Sequence, residues 1–341
     1  MKNIILRNPG RVLAPCLLIL AAVSLQARPL QVVATTPELG ALAAAIGGDR
    51  VAVRSITSGR EDPHFIQPRP NYVVMARDAD LWIRMGLELE IGWEMPLLDN
   101  SRNRLIRPGQ PGHFDAGAHL PYVLDVPDSS ITRAMGDVHA SGNPHFMLDP
   151  MIGRAVARAL AERLVSLDPA GADAYRAGLR AFLERLDHAM FGEQLVQALT
   201  GERLWQAESD NALNELLAAT GHAALLRGWR GVMHPWQDKP VVTFHKSLDY
   251  FFKRFGLKSP VALEPLPGVP PSPAHLARVL EIMQAQSVAL VLMEPFNPRR
   301  PAEFVADRTG ARVAVVNTYG TSVEPDGYFK FIDDIVNSFK E

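Results

Sequence analysis

Two histidines lie in short, proline-stiffened turns of nearly the same sequence. One turn reads DPH and ends at His64, and the other reads NPH and ends at His145. Proline fixes its own φ and restricts the residue before it, so each turn presents its imidazole from a backbone with little freedom left to lose. Neutral imidazole is a ligand that suits Zn²⁺. The repeated turn predicts a metal site, although either histidine alone could be an ordinary hydrogen-bonded loop residue.

Two further candidates end apolar, strand-like runs. His245 closes the run PVVTFH, and Glu294 follows the run VALVLM. In open α/β sheets, ligands bind beyond the carboxyl ends of strands, so we expect these side chains to meet His64 and His145. Three imidazoles would form most of a tetrahedral zinc site. Glu294 is a fourth metal-binding candidate, with a purely structural carboxylate as the alternative.

A third histidine lies close to the second turn. His139 precedes His145 by six residues in a loop-rich stretch from about 98 to 150. We interpret His139 as a solvated loop residue, with an auxiliary or fourth-ligand role as the alternative. The histidines of helical or connecting stretches are interpreted as ordinary: His188, His222, His234 and His275.

The composition is that of a globular chain with an export signal. The 341 residues are 47% hydrophobic and 21% charged, and a net charge of −2 gives no indication of nucleic-acid binding. Residues 1–27 have a basic start, a short apolar run and a small residue at the end, which is the order of a cleavable signal peptide. The only cysteine, Cys16, lies before most of that run, so we do not expect a lipoprotein. An exported chain without thiols favours the periplasm, and His, Asp or Glu must hold any metal.

The rest of the chain alternates between strand-like and helical segments. Short β-rich runs separated by helices indicate parallel sheets before residue 100 and again after residue 240. Between them, apolar residues at helical spacing predict one helix to Leu167 and a long one from about 170 to 199. We therefore predict an α/β protein of two lobes with mostly parallel sheets, joined by a long rigid helix, with the ligand site in the cleft between them. The expected divisions are a signal peptide at 1–27, an N-terminal lobe at 28–168, a linking helix at 169–200 and a C-terminal lobe at 201–341.

Five motifs in one order resemble a known family. They read DPHFIQPRP, NPHFMLDP, TFHKSLDYFFKRFGL, LEPLPGVPPSPAHL and LMEPFNPRRPAEFVADRTG. Together they resemble the substrate-binding proteins of ABC importers for zinc and manganese, over about residues 30–339. The resemblance implies metal ligands at His64, His145 and His245. A histidine at the third place is similar to the zinc-type members, since manganese-type members often have Glu there.

The fourth place departs from the family pattern. Many members have Asp after the last strand, whereas this chain reads VVNTYGTSVEP, with Thr318 and Tyr319 where the Asp is expected. The candidates for the fourth ligand are therefore a water molecule, Glu294, Asp326 or His139.

The resemblance also implies a function. It predicts a periplasmic protein, monomeric and not an enzyme, that captures Zn²⁺ and delivers it to an ABC permease in the inner membrane. Mn²⁺ is the alternative ion. The alternative functions are a manganese-type binding protein, or a metal chaperone or adhesin on the same fold. A zinc hydrolase remains a further alternative, because three histidines and a water also form a catalytic zinc site, although the sequence has no HExxH pattern.

Overall fold

A computed structural model describes residues 28–127, 139–266 and 268–340. The predicted signal peptide, with Cys16, lies outside the described residues. Within the described ranges, no helix is both long enough and apolar enough to cross a membrane.

The first sheet has four parallel strands in the order β2-β1-β3-β4. The strands are β1 (Leu30–Ala34), β2 (Val51–Ser55), β3 (Leu81–Arg84) and β4 (His113–Asp115). Val32, Val33 and Ala34 have no exposed surface, as expected for a central parallel strand covered on both faces. β4 lies inside the stretch that the sequence indicated as loop-rich, where Trp82 of β3 pairs with His113.

Five helices accompany this sheet. They are α1 (Pro37–Gly47), α2 (Pro70–Asp78), α3 (Glu94–Ser101), α4 (Pro150–Leu167) and α5 (Ala172–Phe191). Three of them begin with proline, whose fixed φ suits the first helical position and whose missing N–H is not needed there. Asp149 caps α4 by accepting a hydrogen bond from Met151 N.

The prediction of one long helix from about 170 to 199 is wrong, because α5 ends at Phe191. Gly192 has φ 87° and ψ 146°, and a new helix, α6 (Glu193–Leu199), follows it. That conformation is easily reached only by glycine. A Cβ at Gly192 would also lie 2.6 Å from Cβ of Arg227, so the break lets a distant segment approach the backbone.

A helical segment and a second parallel sheet complete the chain. Three helices that the sequence did not indicate are α7 (Gly201–Ser209), α8 (Leu213–Thr220) and α9 (Gly228–Met233). The second sheet, in the order β5-β6-β7, comprises β5 (Val242–Thr243), β6 (Leu290–Met293) and β7 (Arg312–Val315). The remaining helices are α10 (Asp249–Phe255), α11 (Pro273–Ala285), α12 (Arg299–Thr309) and α13 (Gly327–Asn337). The predicted fold class, α/β with parallel sheets in two lobes, is confirmed.

The last helix returns to the first lobe. α13 packs against α1 and α9, and the segment before it contributes Gly320 N, which donates to Glu38 Oε2 at 2.9 Å. The lobe boundaries at 168 and 200 stay a prediction.

Polar contacts link residues 143–149 to α10 and to the segment just before it. Arg254 of α10 forms a buried ion pair with Asp149, with Nε 2.7 Å from Oδ1. Asn143 Nδ2 donates to the carbonyl of Lys246 at 2.9 Å, and the hydroxyl of Tyr250 donates to the carbonyl of Asn143 at 3.1 Å. The segment that carries the second histidine turn is therefore held by the opposite lobe.

Candidate metal centre

The first turn fixes the ring of His64 through a single carboxylate. Pro63–Phe65 form one turn of 3-10 helix capped by Asp62. Asp62 Oδ1 lies 3.0 Å from His64 N and 2.6 Å from ring atom Nδ1. Because an oxygen acceptor faces Nδ1, that nitrogen carries the proton and Nε2 keeps the lone pair that a metal needs.

The second turn repeats this arrangement with an amide in place of the carboxylate. Asn143 Oδ1 lies 3.0 Å from His145 N and 2.8 Å from its Nδ1. His145 is only 4% exposed. The two Asx-Pro-His turns predicted from the sequence thus share one hydrogen-bonding pattern, although a 3-10 helix begins at Pro63 in the first and only at Phe146, after the histidine, in the second.

The third imidazole is held by a residue that lies further along the chain. His245 follows β5 directly, and its Nδ1 lies 2.8 Å from Glu264 Oε2. The carboxylate plays the part that Asp62 plays for His64. Nε2 of His245 is therefore the nitrogen that remains available.

These three rings converge. Their centroids are separated by 5.6 Å for His64 and His145, 5.4 Å for His145 and His245, and 6.4 Å for His64 and His245. Three imidazoles bound through Nε2 to one tetrahedral zinc ion would have centroids about 5 Å apart. The structure brings together the three histidines that the sequence predicted. They come from both lobes.

The donor atoms lie close together without forming a finished coordination sphere. Among the residues that the structure describes, no group of three or more His, Cys, Asp or Glu side chains already has the geometry to hold a metal ion. Ring separations of 5.4 to 6.4 Å mean that the rings must approach one another by about 1 Å to coordinate zinc.

A fourth imidazole lies in the same cluster. Nε2 of His139 is 3.0 Å from Nε2 of His64, and the two ring centroids are 5.0 Å apart. His139 is only 8% exposed, so its interpretation as a solvated loop residue is wrong. The physical reason is non-local: Ala140 N donates to Glu88 Oε2 at 2.8 Å, which ties this end of the loop to the first lobe.

Glu294 lies beside the cluster and is hydrogen-bonded at both oxygens. Its Oε1 accepts from the hydroxyl of Ser247, and its Oε2 accepts from Asn297 Nδ2 at 2.7 Å. Burial raises the pKa of Glu294, against the opposing effects of His245 and the Ser247 hydroxyl. Coordination of a metal by Glu294 stays a prediction.

The two remaining candidates for the fourth position, a water molecule and Asp326, differ in their surroundings. Thr318 and Tyr319 line a cavity of about 40 Å³ beside the rings, and their buried hydroxyls have no hydrogen-bond partner among the described residues. A cavity of that size can hold a water molecule. Asp326 instead directly precedes α13, and its carboxylate pairs with Lys330 Nζ at 2.7 Å.

The surroundings shift the pKa values of two of these rings in opposite directions. Burial, followed by the charges that neighbouring imidazoles would carry, lowers the pKa of His145 well below 6.5. Burial also acts to lower the pKa of His245, but the hydrogen bond to Glu264 and the charge of Glu294 outweigh it, so the pKa is raised. The cluster therefore combines His145, whose neutral form is favoured, with His245, whose protonated form is stabilised by nearby carboxylates.

Two cavities meet at the cluster. His145, His245 and Glu264 line both the small cavity and a larger one of about 320 Å³. His64 lines only the small cavity, whereas His139 lines only the larger one. His139 thus stands on the more open side of the site.

The three ring-bearing residues could be identified from the sequence, but not every side chain that accepts a hydrogen bond from them. An Asx residue two places before His64 and His145 was visible in the sequence as part of each turn. Glu264 was not identified, because nothing local signals that a residue 19 positions after His245 contacts its ring.

The fold and the cluster define a class, the two-lobed α/β binding proteins whose ligand site lies between parallel sheets. Within it, the chain belongs to the ZnuA family, described as zinc-uptake complex component A, periplasmic, whose profile matches residues 32–193 and 224–341.

Individual relatives are distant. The high-affinity zinc uptake system protein ZnuA of Brucella abortus is 26% identical over 199 residues, which cover 58% of this chain but only 49% of that protein. The chain thus spans about half the length of this relative. The manganese ABC transporter substrate-binding lipoprotein PsaA of Streptococcus pneumoniae is 24% identical over 280 residues, or 81% of this chain and 76% of the relative. A crystal structure of ZnuA matches with a TM-score of 0.65 and 20% identity, covering 91% of this chain and 99% of that one.

Proposed function

We propose that this protein binds Zn²⁺ in the cleft between its lobes and delivers it to an ABC permease as the binding component of a zinc-uptake system. His64, His145 and His245 supply three ligands through Nε2. A component of an uptake complex binds and releases its ion unchanged, so no catalytic role is proposed.

The observation that carries this proposal is that three imidazoles from separate segments lie together, each with its Nδ1 hydrogen-bonded to an oxygen. In each ring an oxygen acceptor lies within 2.8 Å of Nδ1, supplied by Asp62, Asn143 or Glu264. The metal-binding nitrogens are thereby selected before the ion arrives. Such acceptors fix the tautomer and the ring orientation of metal-binding histidines.

The donor chemistry favours zinc over manganese. Imidazole nitrogens suit zinc, whereas carboxylate, carbonyl and water oxygens suit manganese. The nearest carboxylates, those of Asp62, Glu264 and Glu294, are hydrogen-bonded to rings or to neighbouring side chains. They can offset the charge of the ion without binding it.

Family membership supports a periplasmic location and a permease partner. We propose that residues 1–27 direct export and are then removed, and that the mature protein acts as a monomer. The ion would enter from the larger cavity, because that cavity reaches His139, His145 and His245.

The test is a zinc titration combined with metal analysis of the purified protein. We expect one zinc per chain in the wild type and strongly weakened binding in His64→Ala, His145→Ala and His245→Ala. His234→Ala is the matched control, because His234 is exposed and belongs to a short helical turn after α9. Glu294→Ala tests the carboxylate separately.

Two results would contradict the proposal. Full zinc occupancy in any one of the three histidine variants would remove that residue from the site. Absence of stoichiometric zinc binding by the wild type would exclude the function as a whole.

A further inference from the structure

We propose that His139 is the fourth ligand, so that four imidazoles and no carboxylate surround the ion. The inference rests on the proposed function, because it concerns the same site. It assigns the remaining coordination position to a side chain rather than to water, and it makes His139 a residue that determines ion specificity.

The position of the ring is the first argument. The two Nε2 atoms of His64 and His139 are 3.0 Å apart, and both rings are almost completely buried. Two nitrogens bound to one tetrahedral zinc ion lie about 3.3 Å apart. The pair therefore already has nearly the separation that shared coordination requires.

The backbone around His139 is the second argument. Gly142 N donates to the carbonyl of His139 at 3.1 Å and closes a turn, while Ala140 N is held by Glu88. Gly142 has φ 102°, and a Cβ there would lie 2.3 Å from Cγ1 of Val123. The residues between the two histidines are thus anchored to the first lobe, so His139 is presented by a defined turn.

The other possible donors are engaged elsewhere or offer only hydroxyl groups. Both oxygens of Glu294 accept hydrogen bonds, and Asp326 is paired with Lys330. Beside the rings, Thr318 and Tyr319 offer only hydroxyls. Among the described side chains that line the two cavities, His139 is the one that brings a further imidazole nitrogen next to His64.

His139 also occupies the side through which the ion would arrive. It lines the larger cavity together with His145 and His245, whereas His64 faces the small cavity behind them. Binding of the ion by His139 would complete the coordination sphere on the open side. An all-imidazole site selects zinc and similar borderline ions against manganese, because no oxygen donor contributes.

The experiment compares wild type, His139→Ala, His139→Asp and the control His234→Ala. Zinc affinity is measured by competition with a chelator, and the number of bound imidazoles is measured by zinc-edge X-ray absorption. We expect four imidazoles in the wild type and three in His139→Ala, with zinc affinity at least about tenfold lower, as for other changes at metal sites. His139→Asp should recover part of the affinity and shift the ratio of zinc to manganese affinity towards manganese.

The outcomes separate this inference from the proposed function. Three imidazoles in a zinc-loaded wild type, with His139→Ala binding zinc as tightly as His234→Ala, would overturn the inference and leave the function standing. A wild type that binds no zinc would overturn both. Circular dichroism of each variant establishes that a loss of affinity does not come from unfolding.

Discussion

The DPH turn and the NPH turn place the same hydrogen bonds on their histidines, yet they differ in backbone, charge and burial. Asp62 is partly exposed, whereas Asn143 is buried. A charged acceptor is used where water can still reach it, and a neutral one where it cannot. This matches the high cost of burying a charge without full compensation.

The two turns also rest on different supports. The carbonyl of Pro63 accepts one hydrogen bond from Trp93 Nε1 at 2.8 Å. The NPH turn is held by Tyr250 and lies four residues before Asp149, the partner of Arg254. The comparison indicates that the NPH turn is held by α10 of the second lobe, whereas the DPH turn is supported by Trp93 of the first lobe.

The largest expected effect comes from removing the cation beneath the NPH turn. Arg254→Met would leave the buried carboxylate of Asp149 without its cation, whereas Glu208 would keep its ion pair with Arg230. Breaking a buried pair in this way costs about 3–5 kcal/mol in the free energy of unfolding. Urea unfolding measures it, with Arg77→Met, an exposed pair with Asp78, as the control that loses less than about 1 kcal/mol. Equal losses in the two variants would show that the NPH turn has no special support.

The next effect depends on pH and concerns the segment behind the DPH turn. Burial, then the nearby charge of Glu94, raises the pKa of Glu90 to about 7 from 4.5. As the pH rises, Glu90 therefore loses its proton in the unfolded chain before it does so in the folded protein. Its stabilising contribution is complete below pH 4.5 and is lost as the pH rises to about 7. Relative to Glu90→Gln, the wild type should lose up to about 3 kcal/mol in the free energy of unfolding across this range. Urea unfolding at several pH values tests this, and parallel pH profiles for the two proteins would contradict it.

A smaller effect is expected from removing the acceptor of each ring. Asp62→Ala and Asn143→Ala should each lower zinc affinity by roughly 10- to 100-fold, because the tautomer and the ring orientation are no longer fixed. Asn143→Ala should have the larger effect, since Asn143 also binds the carbonyl of Lys246. Chelator competition measures both. Asp62→Asn and Asn143→Asp keep an acceptor and are the controls; if they are as impaired as the alanine variants, the acceptors do not act by orienting the rings.

The smallest effect should come from the support of the DPH turn. Trp93→Phe removes one hydrogen bond, that to the carbonyl of Pro63, and should cost about 1 kcal/mol in the free energy of unfolding. Trp229→Phe, which loses one hydrogen bond to Asp333 far along the chain, is the matched control. Calorimetry should show similar stability losses, but only Trp93→Phe should also weaken zinc binding. A zinc affinity identical in both variants would mean that Trp93 does not help to position His64.

The sequence predicted the parts of the site that are encoded locally. Proline and an Asx residue beside His64 and His145 specify each turn within three positions, so the turns and their order along the chain could be predicted. The burial of His139 could not be predicted, because it involves a contact between Ala140 and Glu88, 52 residues apart. The break at Gly192 was missed for a similar reason, since Arg227 from a later segment approaches there.

The return of α13 to the first lobe has a consequence for the order of folding. Leu39, Ala41 and Leu42 of α1 have no exposed surface in the finished protein, and the cover over this helix includes residues from the end of the chain. α1 is synthesised well before α13, so this apolar helix has to wait for part of its cover. The burial of α1 is complete only after α13 has been made and has packed against it.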